Sequence, residues 1–133
     1  MTEFQYVIVR VIPSLPRGER INVGVILFCR QRGFLAARVA LDRARLAAIA
    51  PELDPETIVP PLQAICDVAG GAPAAGALGA LPPSERFGWL SAPASTILQP
   101  SAIHTGLTDD PQATLDRLFG ALVAAPGAAG GAF

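Results

Sequence analysis

The chain has 133 residues, of which 51% are hydrophobic and 16% are charged, and its net charge is −1. This length is typical of one domain, and the composition can bury a core, which argues against disorder along the whole chain. The longest apolar run, Val23–Cys29, is too short to cross a bilayer. Because no secretory signal pattern and no Cys-x-x-Cys spacing is present, we expect a cytoplasmic protein with free thiols.

Charge is divided unevenly along the chain. Residues 1–50 hold eight arginines and three acidic residues, a net charge of +5, whereas residues 51–133 hold two arginines and eight acidic residues, a net charge of −6. The two halves can attract each other within one fold, or the basic half can meet an acidic partner. Since only 6% of residues are aromatic and the chain is acidic overall, nucleic acid is not the expected partner.

Three strands are predicted near the N-terminus, over Phe4–Ile12, Ile21–Arg30 and Phe34–Leu41, because these segments are rich in β-branched and aromatic residues. The short turn at Gln31-Arg32-Gly33 makes them an antiparallel meander. Residues 96–99 predict a short fourth strand. In the second strand, simple alternation places five apolar residues on one face: Ile21, Val23, Val25, Leu27 and Cys29.

Helices are predicted after the meander. Asp42 is a suitable cap for a helix over Arg43–Ala50. The next helix either starts after Asp54 and kinks at Pro60-Pro61, or begins at Pro60 and continues to about Ala69; we favour the second alternative because an interior proline costs about 3 kcal/mol. Residues 84–90 predict a short helix. The last helix follows Asp110-Pro111 and carries one apolar stripe: Leu115, Leu118, Phe119, Leu122 and Val123.

These elements predict an α+β fold, in which an antiparallel sheet (a three-stranded meander plus a short fourth strand) carries helices on one face. We expect a single domain over residues 1–125. Residues 126–133 should form a flexible tail, because they lack periodicity and polar anchors.

The connection over residues 13–20 is longer than a simple hairpin and has a charged tip. Arg17, Glu19 and Arg20 can form a recognition surface, since arginine offers a planar fork to carboxylate or phosphate. Alternatively, Glu19 pairs with an arginine and holds the loop on the sheet. Asn22 interrupts an apolar strand and needs hydrogen-bond partners, which the loop can supply. Gly24 can admit a neighbouring backbone or the ring of Trp89.

No catalytic constellation is evident. His104 is the only histidine, and neither a nucleophile elbow nor a known zinc-ligand spacing accompanies it. We therefore expect no catalytic residues, metal or cofactor. One enzymatic or ligand-binding alternative remains, in which Arg17, Arg20, Arg86 and His104 surround a single pocket.

Two separated stretches resemble a bacterial family known as domain of unknown function 3037. They are PRGERINVGVILF near the start and ERFGWLSAPASTILQPSAIHTGLTDDP later, with the same blocks in the same order. The resemblance covers nearly the whole chain except residues 70–83 and the tail. It implies no activity, but it implies a protein partner, since members are often encoded beside a protein with a HipA-like kinase fold.

The expected function is therefore that of a non-enzymatic accessory or partner-binding domain, acting with such a kinase-fold neighbour. The alternative is a small enzyme or ligand-binding domain with the Arg/His-lined pocket. No membrane association is expected, and the sequence does not decide whether the chain forms homo-oligomers.

Overall fold

A five-stranded antiparallel sheet forms the centre of the computed structural model, which describes residues 1–94 and 96–124. The meander consists of β1 (Thr2–Val11), β2 (Ile21–Cys29) and β3 (Phe34–Val39). Two short strands, β4 (Leu98–Pro100) and β5 (His104–Thr108), pair end to end along the other edge of β1. β1 therefore pairs with other strands along both of its edges and lies inside the sheet. Its side chains are mostly apolar on both faces, as expected for a strand in this position.

The fifth strand was not predicted from the sequence. Its residues, His104–Thr108, include only two β-branched side chains and a central glycine. Gly106 lies opposite Phe4 on β1, and a Cβ atom at this position would come within 2.7 Å of the Phe4 ring. The glycine is therefore explained by close packing under an aromatic ring.

Within the described residues, five α-helices accompany the sheet: α1 (Arg43–Ile49), α2 (Val59–Gly70), α3 (Gly76–Gly79), α4 (Pro83–Ser91) and α5 (Pro111–Leu122). The carboxylates of Asp42 and Asp110 accept hydrogen bonds from the first turns of α1 and α5, as the sequence predicted. α2 begins next to Pro60-Pro61, in agreement with the favoured alternative, because proline fits the first turn of a helix.

The helices cover both faces of the sheet, which corrects the expectation that they pack on one face. On one face, α1, α2 and α4 share a core with Val7, Val9 and Val11 of β1. On the other face, α5 packs on Phe4 and on the second half of β2. The α+β class with an antiparallel sheet is confirmed.

A β-bulge explains why simple alternation along β2 is wrong. Val9 pairs with Gly24 and Arg10 pairs with Asn22, so Val23 has no partner on β1. Ile21 and Val23 consequently contact the core beneath α1, α2 and α4. The remaining three residues of the predicted face, Val25, Leu27 and Cys29, contact α5 instead.

The end of the predicted domain at residue 125 and the predicted tail at 126–133 lie outside the described residues. Among the helices that the structure describes, none is long and apolar enough to cross a membrane.

Candidate functional site

The charged loop over residues 13–20 is held together at its tip. The Nε of Arg17 donates a hydrogen bond to Glu19, and this bond and the carboxylate charge raise the pKa of Arg17. Gly18 between them has a φ of 71°, in the left-handed region that glycine tolerates. Both partners belong to the loop and the pair is exposed. Glu19 therefore closes the loop on itself and does not tie it to the sheet.

The same loop forms one wall of an open cleft. Pro13, Ser14 and Arg17 face residues 49–53, at the end of α1, across a space of about 490 Å³. Arg20, Arg86 and His104 do not line this cleft.

Asn22 anchors the last helix. Its side-chain Nδ2 donates a 3.0 Å hydrogen bond to the backbone oxygen of Leu122, at the C-terminal end of α5. A carbonyl at this end of a helix has no partner within the helix, so the amide satisfies it. Asn22 thus has a structural partner on α5, whereas the sequence suggested one in the loop. Gly24 lies against Val39 and the backbone of Arg38, so it admits the neighbouring strand and not Trp89.

Arg86 joins two backbone segments through three hydrogen bonds. Its Nε donates to the oxygen of Leu81, and one terminal nitrogen donates to the oxygens of Val68 and Ala69 at the end of α2. In a continuing helix the oxygen of Ala69 would accept from residue 73, but Pro73 has no N–H. The guanidinium replaces that donor. These three hydrogen bonds to backbone oxygens indicate a structural role for Arg86.

His104 lies on the opposite face of the sheet from Arg86. Its ring stacks on Tyr6, with 5.0 Å between centroids, and Tyr6 packs against the α5 side of the sheet. Arg86 precedes Phe87, which belongs to the core on the other face. The pocket proposed for Arg17, Arg20, Arg86 and His104 is therefore not formed, because β1 and its neighbours separate two of its members.

An exposed tryptophan marks the surface of α4. Trp89 is 66% exposed, whereas Phe87 two residues earlier is 4% exposed. On one side it lines a cleft of about 460 Å³ with Leu81, Glu85, Gly88 and Ala92, which together we call the Trp89 surface. On its other side it lines a smaller cleft of about 170 Å³, which reaches Val9 on β1.

The residue spacing along α4 contains a signal for this surface, although the predicted sites did not include it. Phe87 and Leu90 are three residues apart and share the buried side of α4, while Trp89 follows Phe87 by two residues. At 3.6 residues per turn, two residues correspond to about 200°, so Trp89 must point away from the core.

A metal centre is not found in the part of the chain that the structure describes, since no three His, Cys, Asp or Glu side chains come together there. The thiol of Cys66 is half-buried, and this burial, together with the charge of Asp67, raises its pKa. A raised pKa leaves less of the nucleophilic thiolate at neutral pH.

Comparison with known proteins assigns the sequence to a family. Residues 6–123 match the family described as protein of unknown function (DUF3037). The chain belongs to this family. No curated protein and no solved structure matches the chain. The DUF3037 match runs from Tyr6 on β1 to Val123 just after α5, so it includes the charged loop, Asn22, Arg86, Trp89 and His104.

Proposed function

We propose that this DUF3037 protein is a non-enzymatic partner-binding domain that docks its partner on the Trp89 surface. The supporting observation is the 66% exposure of Trp89 between two clefts. A tryptophan covers about 150–250 Å² when buried, and burial is worth about 25 cal/mol per Å², so covering the exposed part releases on the order of 3 kcal/mol. Tryptophan is also among the residues that most often dominate binding energy at interfaces.

The charge at this surface suggests the chemistry of the partner. Glu85 lines the larger cleft together with apolar residues and a glycine, and no arginine lines it. The neighbouring Arg86 directs its donors to backbone oxygens and does not neutralise Glu85 in the described residues. A partner segment with an apolar anchor beside a basic residue would complement both features.

Family membership suggests which partner to test first. The resemblance to this family implies a partner with a HipA-like kinase fold, and we propose that such a protein provides the segment. The separation of Arg86 and His104 onto opposite faces favours this binding role over the Arg/His-lined pocket.

Calorimetric titration of the purified chain with a protein of HipA-like kinase fold tests the proposal. We expect Trp89→Ala to weaken binding by about tenfold or more, as for an interface hot spot, without lowering the melting temperature. Leu107→Ala is the matched control, because Leu107 is 61% exposed on β5, away from the Trp89 surface. Equal affinity of Trp89→Ala and the unmodified chain would refute this docking surface, and no binding at all would refute the partner.

A further inference from the structure

Arg10 lies on the face of β1 that is directed toward α5, and its Nε has no hydrogen-bond partner among the described residues. This Nε is nevertheless shielded from solvent. A buried donor without a partner costs about 1–3 kcal/mol, and more when it is charged. Buried polar groups in folded proteins are almost always paired, so such a group calls for an explanation.

Five other arginines have hydrogen-bond or ion-pair partners among the described residues, whereas the exposed Arg45 and Arg117, like Arg10 and Arg20, have none there. Arg38 and Arg43 pair with carboxylates, like Arg17, while Arg32 and Arg86 donate to backbone oxygens. Within residues 1–94 and 96–124, neither Arg10 nor Arg20 forms an ion pair. These two side chains therefore present positive charge that the described part of the fold does not neutralise.

The strand register brings the two arginines together. Arg10 lies directly opposite Asn22 on β2 and opposite Gln99 on β4. Arg20 precedes Asn22 by two residues, so it extends from the same face at the diagonal position, within reach of a long side chain. Burial, and in addition the positive charge of Arg20, lowers the pKa of Arg10. The two cations are thus close enough to repel each other.

The chemistry of this pair suits one kind of ligand. The Nε of Arg10 is shielded, but the two terminal nitrogens of a guanidinium also form two parallel donors that match the two oxygens of a carboxylate. A second cation at the diagonal position would add attraction, and a bound anion would relieve the repulsion between the arginines. We propose that Arg10 and Arg20 form a binding site for a carboxylate group, with Arg10 supplying the paired donors and Arg20 the second charge.

The site is independent of the Trp89 surface. Val9 lines the smaller cleft beside Trp89, and Arg10, the next residue of β1, extends from the opposite face of the sheet. Binding of a carboxylate therefore does not rest on the proposed function. Loss of one activity would leave the other measurable.

Nuclear magnetic resonance of the ¹⁵N-labelled chain tests this site directly. Sodium acetate is added at constant ionic strength, with sodium chloride as the balancing salt, and the arginine Nε–H signals are followed. We expect the Arg10 signal to move and reach saturation. Arg10→Lys keeps the charge but lacks the paired donors, and Arg20→Gln removes the second charge; each should weaken binding by about tenfold. Arg45→Gln on α1, an exposed position on the other face, is the charge-matched control.

Several outcomes would overturn the proposal. An Arg10 signal that does not move, or moves equally with chloride, would show no carboxylate site. Unchanged acetate affinity in both Arg10→Lys and Arg20→Gln would mean that these cations only complement the C-terminal end of α5. Equal affinity for sulfate would reject a carboxylate-specific site.

A further comparison distinguishes the sources of the carboxylate. Tighter binding of a blocked glutamate peptide than of acetate would identify a protein side chain as the source, and equal binding would identify a free carboxylate ion.

Because Arg20 is exposed, its replacement should not disturb folding, which keeps the test decisive if Arg10→Lys is unstable.

Discussion

Replacing Arg86 with methionine separates a structural role from a ligand-binding one. Methionine keeps much of the length and apolar stem but removes every donor. The oxygen of Val68 would still accept from the backbone N–H of Gly71. The oxygens of Ala69 and Leu81 would lose the donors that Arg86 now provides.

The expected destabilisation follows from those two oxygens. Each buried acceptor left unpaired costs about 1–3 kcal/mol, and water can reach part of this half-buried site, so we expect a loss of about 2–5 kcal/mol. This is a large fraction of the roughly 5–15 kcal/mol that stabilises a domain. The stability of Arg86→Lys should lie between that of the unmodified chain and that of Arg86→Met, since an ammonium group can replace one hydrogen bond but not the planar fork of donors.

Urea denaturation followed by far-ultraviolet circular dichroism measures this loss as a change in the free energy of unfolding. Arg45→Met is the matched control, because Arg45 is exposed on α1 and should be nearly neutral. A loss below about 1 kcal/mol for Arg86→Met would refute the structural role and return Arg86 to the candidates for ligand binding.

Two further predictions concern the core and the thiol. Phe119→Ala should lower the free energy of unfolding by about 3–5 kcal/mol, because Phe119 is 1% exposed and the Arg38 guanidinium lies 4.1 Å from its ring centre. A loss under about 1 kcal/mol would place α5 outside the core. Leu118→Ala should cost less because Leu118 is half-buried. Cys66 should react with iodoacetamide more slowly than glutathione does at about pH 8.5, because its raised pKa leaves less thiolate. Peptide mass mapping assigns the site, and a rate equal to that of glutathione would contradict the reasoning.

The sequence predicted those parts of the fold that depend on local patterns. The meander, the caps at Asp42 and Asp110 and the start of α2 near Pro60 all follow from propensity and capping chemistry, which act over a few residues. β5 was missed because its strand conformation depends on pairing with β1 and on Phe4 above Gly106. Such distant contacts leave almost no trace in a five-residue segment.

The candidate site was harder to predict because the bulge at Val23 changes the face of the sheet to which the neighbouring β2 side chains belong. Without the bulge at Val23, Asn22 would be assigned by alternation to the same face as Ile26 and Phe28, away from α5. With the bulge, Asn22 faces α5 and lies beside Arg10, whose unpaired Nε no local pattern could reveal. A bulge shows itself only through the pairing register.

The two proposed binding surfaces are separated by one peptide bond of β1. Val9 lies on the face of the sheet that carries Trp89 and Glu85, whereas Arg10 lies on the opposite face with Arg20. A rigid segment docked against Trp89 cannot also reach Arg10 unless it passes around the short edge strand β4. Since the two sites share no side chain, a ligand at one alters affinity at the other only if β1 itself shifts, and such coupling would have to be equal in both directions. A central strand paired on both edges resists that shift, so the two surfaces should bind independently.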